Sequence, residues 1–356
     1  MIFVRRFCIY LTKRYNSILV SIKDSDEFLR TMIANIQKPR EVFKPFEYPK
    51  YYEFYKEAVS TVWRVDTVDM GSDVTDYLVR STKDEQEIIQ GILRGFTILE
   101  THISDYWSDT IPKMFPKHEI IAAARMFGAF EQIHAQAYAH LSDSLGLNEY
   151  DAFLGDPVTR KKIDFFVAHE NDLVSLATFS GGGEGVSLFS SFAALLALSR
   201  DSRYKGLAQI ISWSVRDEAS HSDMGCMLFR DLVAERGITK EEVDIIIEAF
   251  DVILQNEFDF IDQIFNGRSI TNLTPEELKD YMRIRSNNRL KALGIDYAYK
   301  VEGCGYNVKG WFESEVFGQS SNDFFWQSLS GDNYTALLSQ DFSEFDYSKV
   351  TMEWKD

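Results

Sequence analysis

The chain has 356 residues, 45% of them hydrophobic and 26% charged, a balance that fits a folded globular protein and excludes a disordered one. A formal net charge of −17 argues against a nucleic-acid partner, because neutralising phosphates needs a basic face. Three scattered cysteines (Cys8, Cys226 and Cys304) exclude a disulfide framework or a thiolate metal site, and they fit a reducing, cytoplasmic setting.

Residues 1–50 read as an N-terminal extension and lead-in. The opening MIFVRRFCIYLTKRYNSILVSI mixes apolar residues with Arg5, Arg6, Lys13 and Arg14 and holds no apolar run long enough to span a bilayer, so no membrane role is expected. Pro39, Pro45 and Pro49 mark extended backbone. After Pro157 only Pro275 interrupts the chain, so long helices are permitted. Helical periodicity predicts helices over 84–106, 118–147, 158–200, 203–236, 240–266 and 275–300. Thr274-Pro275-Glu276-Glu277 reads as a helix start, with proline early and acids in the first turn. Strand alternation is scarce. The expected organisation is a single all-α helical domain over 51–335 and a C-terminal tail over 336–356, the latter rich in Ser, Asp and aromatic residues.

Two segments repeat one small pattern. Glu131 and His134 in EQIH, and Glu218 and His221 in RDEASH, each put a carboxylate and an imidazole one turn apart on the same helix face. Both lie in otherwise apolar helices, where unpaired carboxylates are expensive and bound cations are a usual remedy. Two single acids in apolar surroundings complete a set: Glu100, 31 residues before Glu131, and Glu184, 34 before Glu218. Two Glu-x-x-His helices plus one Glu from each of two more is the arrangement of di-iron and di-manganese carboxylate bundles. Four carboxylates and two imidazoles suit iron or manganese better than zinc or calcium. The glycine run GGGEG at 181–185 lacks the strand and Lys-Ser/Thr of a phosphate loop and is better read as a helix loosened beside Glu184.

These residues resemble the small, radical-generating subunit of class I ribonucleotide reductase, over roughly residues 50–335. In EQIHAQAY, Tyr138 follows His134 by four residues, where that family carries its radical tyrosine; Arg216-Asp217-Glu218 to His221 matches its Arg-Asp-Glu-x-x-His run. Trp63 in TVWRVDTVDM matches its early tryptophan, and RLKALGIDY (289–297) and DFFWQSLSGDNY (323–334) look like late family segments. The resemblance implies a ferritin-like helical bundle that pairs as a homodimer and holds two metal ions per chain. Di-iron is expected, with manganese/iron or di-manganese as the alternatives. It implies metal ligation by Glu100, Glu131, His134, Glu184, Glu218 and His221, a radical on Tyr138, and radical transfer through Trp63, Asp217 and the tail residue Tyr347. The partner it implies is the large catalytic subunit, which binds and reduces ribonucleotides.

Two positions depart from the pattern. Glu100 stands where tyrosyl-radical members commonly carry Asp; a glutamate there resembles a manganese/iron subgroup, which usually replaces the radical tyrosine by phenylalanine, whereas this chain keeps Tyr138. Leu188 stands where many members carry an aromatic residue. The alternative function is a stand-alone dinuclear-metal oxidase or oxygenase on a related scaffold. The valine–tyrosine cross-link of one such group falls here on Ile103 and Phe179, which cannot form it.

Overall fold

The computed structural model describes residues 35–147, 158, 161 and 173–318, with side chains apart from those of 97–102 and 318. In chain order the long elements are α1 (Pro49–Ser60), α2 (Gly71–Thr75), α3 (Lys83–Asp105), α4 (His118–Ser144), α5 (Leu173–Ser199), α6 (Lys205–Arg236), α7 (Lys240–Phe265), α8 (Pro275–Leu293) and α9 (Gly305–Gly318). No β-strand occurs among the described residues, where Ile270 and Leu273 form an isolated bridge. The all-α expectation holds.

Helix ends follow local chemistry. Thr239 and Thr274 open α7 and α8 with reciprocal capping boxes to Glu242 and Glu277, each cap contributing about 1 kcal/mol. The predicted helix over 275–300 stops at Leu293, because Gly294 adopts φ +83° and its N–H turns back to the Leu290 and Lys291 carbonyls. Helix α9 was not foreseen. Asp280, buried on α8, accepts the backbone N–H groups of Glu302, Gly303 and Gly305, anchoring the start of α9. Upstream of α1 the lead-in is tied down as well: Glu119 at the head of α4 accepts the N–H groups of Glu47 and Tyr48, and Glu235 accepts that of Ile36.

Helix α3 packs along α4, and α5 lies among α6, α7 and α8. The α5 stretch Leu173–Ser199 is apolar and long enough to cross a membrane by composition, yet every residue of its apolar 18-residue window is buried within the bundle. On α4 the buried stripe runs Ile120, Ala123, Ala124, Phe127, Glu131, His134, Tyr138, Leu141, the spacing of one helix face. On α6 it runs Leu207, Ile210, Ile211, Ser214, Asp217, Glu218, His221, Gly225, Leu228. The acids and imidazoles therefore occupy core positions of two packed helices and are desolvated by the same geometry that buries their apolar neighbours.

Two helices widen near the acids. Helix α3 continues through a π turn, Tyr106–Thr110, and the middle of α5 is a ten-residue π segment, Thr178–Ser187, that includes Glu184 and the glycine run. Close packing bears on two of the glycines: a Cβ at Gly182 would run into Ile253 Cδ1, and one at Gly185 into Arg289 Cδ and Cγ.

Candidate metal centre

Glu131 from α4, Glu184 from the π segment of α5, and Glu218 and His221 from α6 present ligand atoms within 4.8 Å of one another, all fully buried. His134 of α4 joins them, its Nδ1 lying 3.1 Å from Glu131 Oε2 and 3.0 Å from Glu218 Oε1. His221 Nδ1 is 2.7 Å from Glu131 Oε1 and 3.5 Å from Glu218 Oε2. Among the described residues, the ion pairs of these three carboxylates are all with the two imidazoles; no lysine or arginine takes part.

Proximity here is not matched by hydrogen-bond alignment. Glu131 Oε1, Glu184 Oε2, both oxygens of Glu218 and both ring nitrogens of His221 have no aligned hydrogen-bond partner. Buried polar atoms are rarely left so. Several inward-facing carboxylate oxygens with imidazole nitrogens among them fit a pair of cations, which would satisfy all of these lone pairs at once.

Without cations the cluster balances its charge with protons. Burial and the neighbouring Glu218 charge raise the Glu184 carboxyl well above its usual range. Burial opposes ionisation of Glu218, but the close approach of Glu184 and of the His134 and His221 imidazoles holds it below the usual range. Burial likewise opposes the His221 imidazolium, yet Glu131 and Glu218 push its pKa up to about 9. His134 is raised too, its burial outweighed by Asp217 and Glu131. Metal ligation requires those protons to leave, so metal uptake at neutral pH is expected to release protons and to weaken as the pH falls. Each displaced proton weakens apparent affinity by up to about tenfold per pH unit. A pH indicator in weak buffer reads the release, and pH-independent loading without proton release would contradict this ligand set.

Outside the cluster, Trp63 Nε1 donates to Asp217 Oδ2 at 2.8 Å, and the same oxygen lies 3.1 Å from His134 Nε2. Asp217 on Nε2 is the usual second partner of a metal-binding imidazole, and it leaves His134 Nδ1 on the side of the carboxylates, where it would offer a lone pair to a cation once its proton has left. Trp63 is buried, stacks on His134 at 5.9 Å between centroids, and meets the half-buried Trp213 at 5.2 Å. Tyr138 is fully buried, 6.2 Å from the His134 ring, and stacks on Phe96 at 4.5 Å, with Phe192 behind Phe96. Phe127 and Phe130 flank His221, and Leu188 and Phe189 are buried in the same core.

The structure thus brings together Glu131, His134, Glu184, Glu218 and His221, and next to them Trp63, Asp217 and Tyr138. The Glu100 side chain lies outside the described residues, although its backbone belongs to α3; Tyr347 and the whole tail lie outside them as well. Sequence reasoning missed Phe96, Trp213 and Trp107, whose indole N–H donates to Glu184 Oε1. No α-helical periodicity marked Trp107, because it sits in the π turn Tyr106–Thr110.

The family model "Ribonucleotide reductase, small chain" matches residues 40–307. A probable ribonucleoside-diphosphate reductase small subunit of Invertebrate iridescent virus 3 is 30% identical over 322 residues, covering 82% of this chain and 84% of that one. The ribonucleoside-diphosphate reductase small chain of Schizosaccharomyces pombe is 26% identical, over 78% of this chain and 72% of its own. Among solved structures, the ribonucleotide reductase R2 subunit of Clostridium botulinum superposes with a TM-score of 0.66 at 18% identity, over 76% of this chain and 88% of that one. The dimanganese(II) NrdF of Streptococcus sanguinis gives 0.67 at 18% identity, over 76% and 99%. At these identities the structural likeness bears on the fold. The matched span of 40–307 contains both Glu-x-x-His helices, Trp63 and Tyr138, and on that basis the chain belongs to the ribonucleotide reductase small-chain family.

Proposed function

We propose that this small subunit of class I ribonucleoside-diphosphate reductase stores its oxidising equivalent on Tyr138 and passes it to the large subunit through Asp217 and Trp63. The observation that carries this reading is the continuous contact from the buried cluster through His134 and Asp217 to Trp63. Glu131, His134, Glu184, Glu218 and His221, together with Glu100, are the proposed ligands of two metal ions. The proposed pair is di-iron, with manganese/iron and di-manganese as the alternatives. When bound, such a pair supplies the oxidising power to take one electron and one proton from a phenol.

The protein's own residues do the rest. Tyr138 is a phenol sealed from water, and a phenoxyl radical lasts only where water and reductants are kept out; Phe96 across its face supports that role. Asp217 holds the Trp63 and His134 N–H groups on one oxygen, so an electron leaving Trp63 has a proton acceptor already in contact. We further propose that two chains pair as a homodimer in the cytoplasm. The tail 336–356 is the proposed docking segment for the large subunit, because scattered aromatic anchors among acids suit a groove, and Tyr347 is the proposed relay residue.

Low-temperature EPR of the metal-loaded, oxygen-treated chain, paired with a reduction assay, tests this. The wild type is expected to give an organic radical, and Tyr138→Phe to bind metal normally without one. Ribonucleotide reduction should need the added large subunit and vanish when 336–356 are deleted, with the radical intact. Reduction by the truncated chain would overturn the docking role. A coupled manganese/iron spectrum with full activity in Tyr138→Phe would move the stored oxidant from the tyrosine to the metals.

A further inference from the structure

The two π segments meet beside the cluster. Tyr106 stacks on Phe179, with centroids 3.5 Å apart and planes 22° from parallel. The next residue, Trp107, is fully buried, meets Phe127 edge-on at 5.1 Å, and lies 5.8 Å from the His221 ring. Its indole N–H points to Glu184 Oε1. Glu184 Oε2 remains on the side of His221, 3.9 Å from its Nδ1 and without a hydrogen-bond partner. The backbone around Glu184 is fixed from the other side: Ser222 Oγ donates to the Ser180 carbonyl at 2.6 Å, and Arg285 Nε donates to the Gly185 carbonyl at 2.8 Å.

We propose that Trp107 is a positioning residue for Glu184, holding one carboxylate oxygen so that only Oε2 is offered to the cations. This rests on the reading of the cluster as a dinuclear metal site. Indole has one donor and no lone pair to give a metal, so its part is orientation. A carboxylate on a flexible side chain can turn either or both oxygens inward, and ordering it costs conformational entropy. A hydrogen bond in a dry interior meets that cost before any metal arrives. Phe127, next to Trp107 and against His221, carries no donor, so within this aromatic wall the indole supplies the bond.

The test separates the hydrogen bond from the shape. Trp107 is replaced by benzothienylalanine, which keeps the bicyclic outline and has sulfur where the N–H was, and in a second protein Trp107→Phe is made. Metal-free, full-length protein is titrated with manganese(II), free ion being read by EPR, and thermal unfolding of the metal-free state is recorded alongside. Both variants are expected to lose about 10–100-fold in affinity for one of the two ions, the scale of an outer partner's loss. The stoichiometry at saturation stays at two, and the sulfur analogue melts with the parent. Binding by the sulfur analogue as tight as the parent's would overturn the proposal, since the ring would then only fill space. Glu184→Ala is run in parallel. Undiminished two-ion binding there would overturn the metal-site reading itself, which a failure of Trp107 alone would leave standing.

Discussion

Glu218→Ala is expected to bring metal content down from two ions per chain to one or fewer at stoichiometric metal, measured by elemental analysis after desalting. Glu218 sits centrally, with Oε1 3.0 Å from His134 Nδ1 and Oε2 3.5 Å from His221 Nδ1, so it faces both imidazole ends of the cluster. Removing it takes away a ligand and one negative charge from a fully buried site. The affinity loss should exceed the about 10–100-fold that follows loss of an outer partner. A second effect has the opposite sign for the metal-free protein. There Glu218 is one of the groups that push the His221 pKa up to about 9, so without it the imidazole gives up its proton more readily. Proton competition at neutral pH falls, yet the lost ligand outweighs it, because a coordination position has no replacement in a dry core. Glu218→Gln keeps the volume and removes only the charge, and it should resemble the alanine variant rather than the parent. Full two-ion loading in Glu218→Ala and in Glu131→Ala would remove both residues from the ligand set.

Much of this site was legible because the two Glu-x-x-His pairs fall on apolar stripes. The periodicity that predicts α4 and α6 also states that Glu131, His134, Glu218 and His221 face the core, and no other partner in the pattern answers their charge. Glu184 was legible for a different reason: a carboxylate in the most apolar stretch of the chain has few other uses. What the pattern hid lies where helices depart from 3.6 residues per turn. Tyr106 and Trp107 lie inside the π turn Tyr106–Thr110, and Phe179 and Glu184 inside Thr178–Ser187, where side chains leave the α-helical register, so their meeting is tertiary in origin. Trp213 looked like any half-buried helix residue, and only the path of the chain between α1 and α2 brings Trp63 onto it. Helix α9 escaped because its start is set by Asp280, 25 residues before Gly305, and not by a local cap.

Asp217→Asn is expected to leave metal content and the organic radical in place while lowering ribonucleotide reduction with the large subunit by about 10²–10⁴-fold, the usual worth of a positioned proton acceptor. Asp217 uses a single oxygen for both bonds, taking the Trp63 indole N–H at 2.8 Å and facing His134 Nε2 at 3.1 Å. Asparagine can keep its carbonyl oxygen at that point, so both hydrogen bonds and the His134 tautomer persist. Lost are the negative charge and the basicity. Asp217 is also one of the groups that raise His134 against its burial, so the asparagine variant should bind metal with less proton competition at His134, not more. Trp63→Phe probes the same path at its other end: the ring that stacks on His134 survives in part, but the N–H and the easily oxidised indole are gone. It too should keep the radical and lose reduction. In both variants the radical should survive mixing with large subunit and substrate: in Asp217→Asn because an electron cannot leave Trp63 without a base to take the proton, and in Trp63→Phe because no oxidisable indole remains. Full turnover in Asp217→Asn would show that the proton does not pass to this carboxylate, while full turnover in Trp63→Phe would take the transfer route away from this face of α6 altogether.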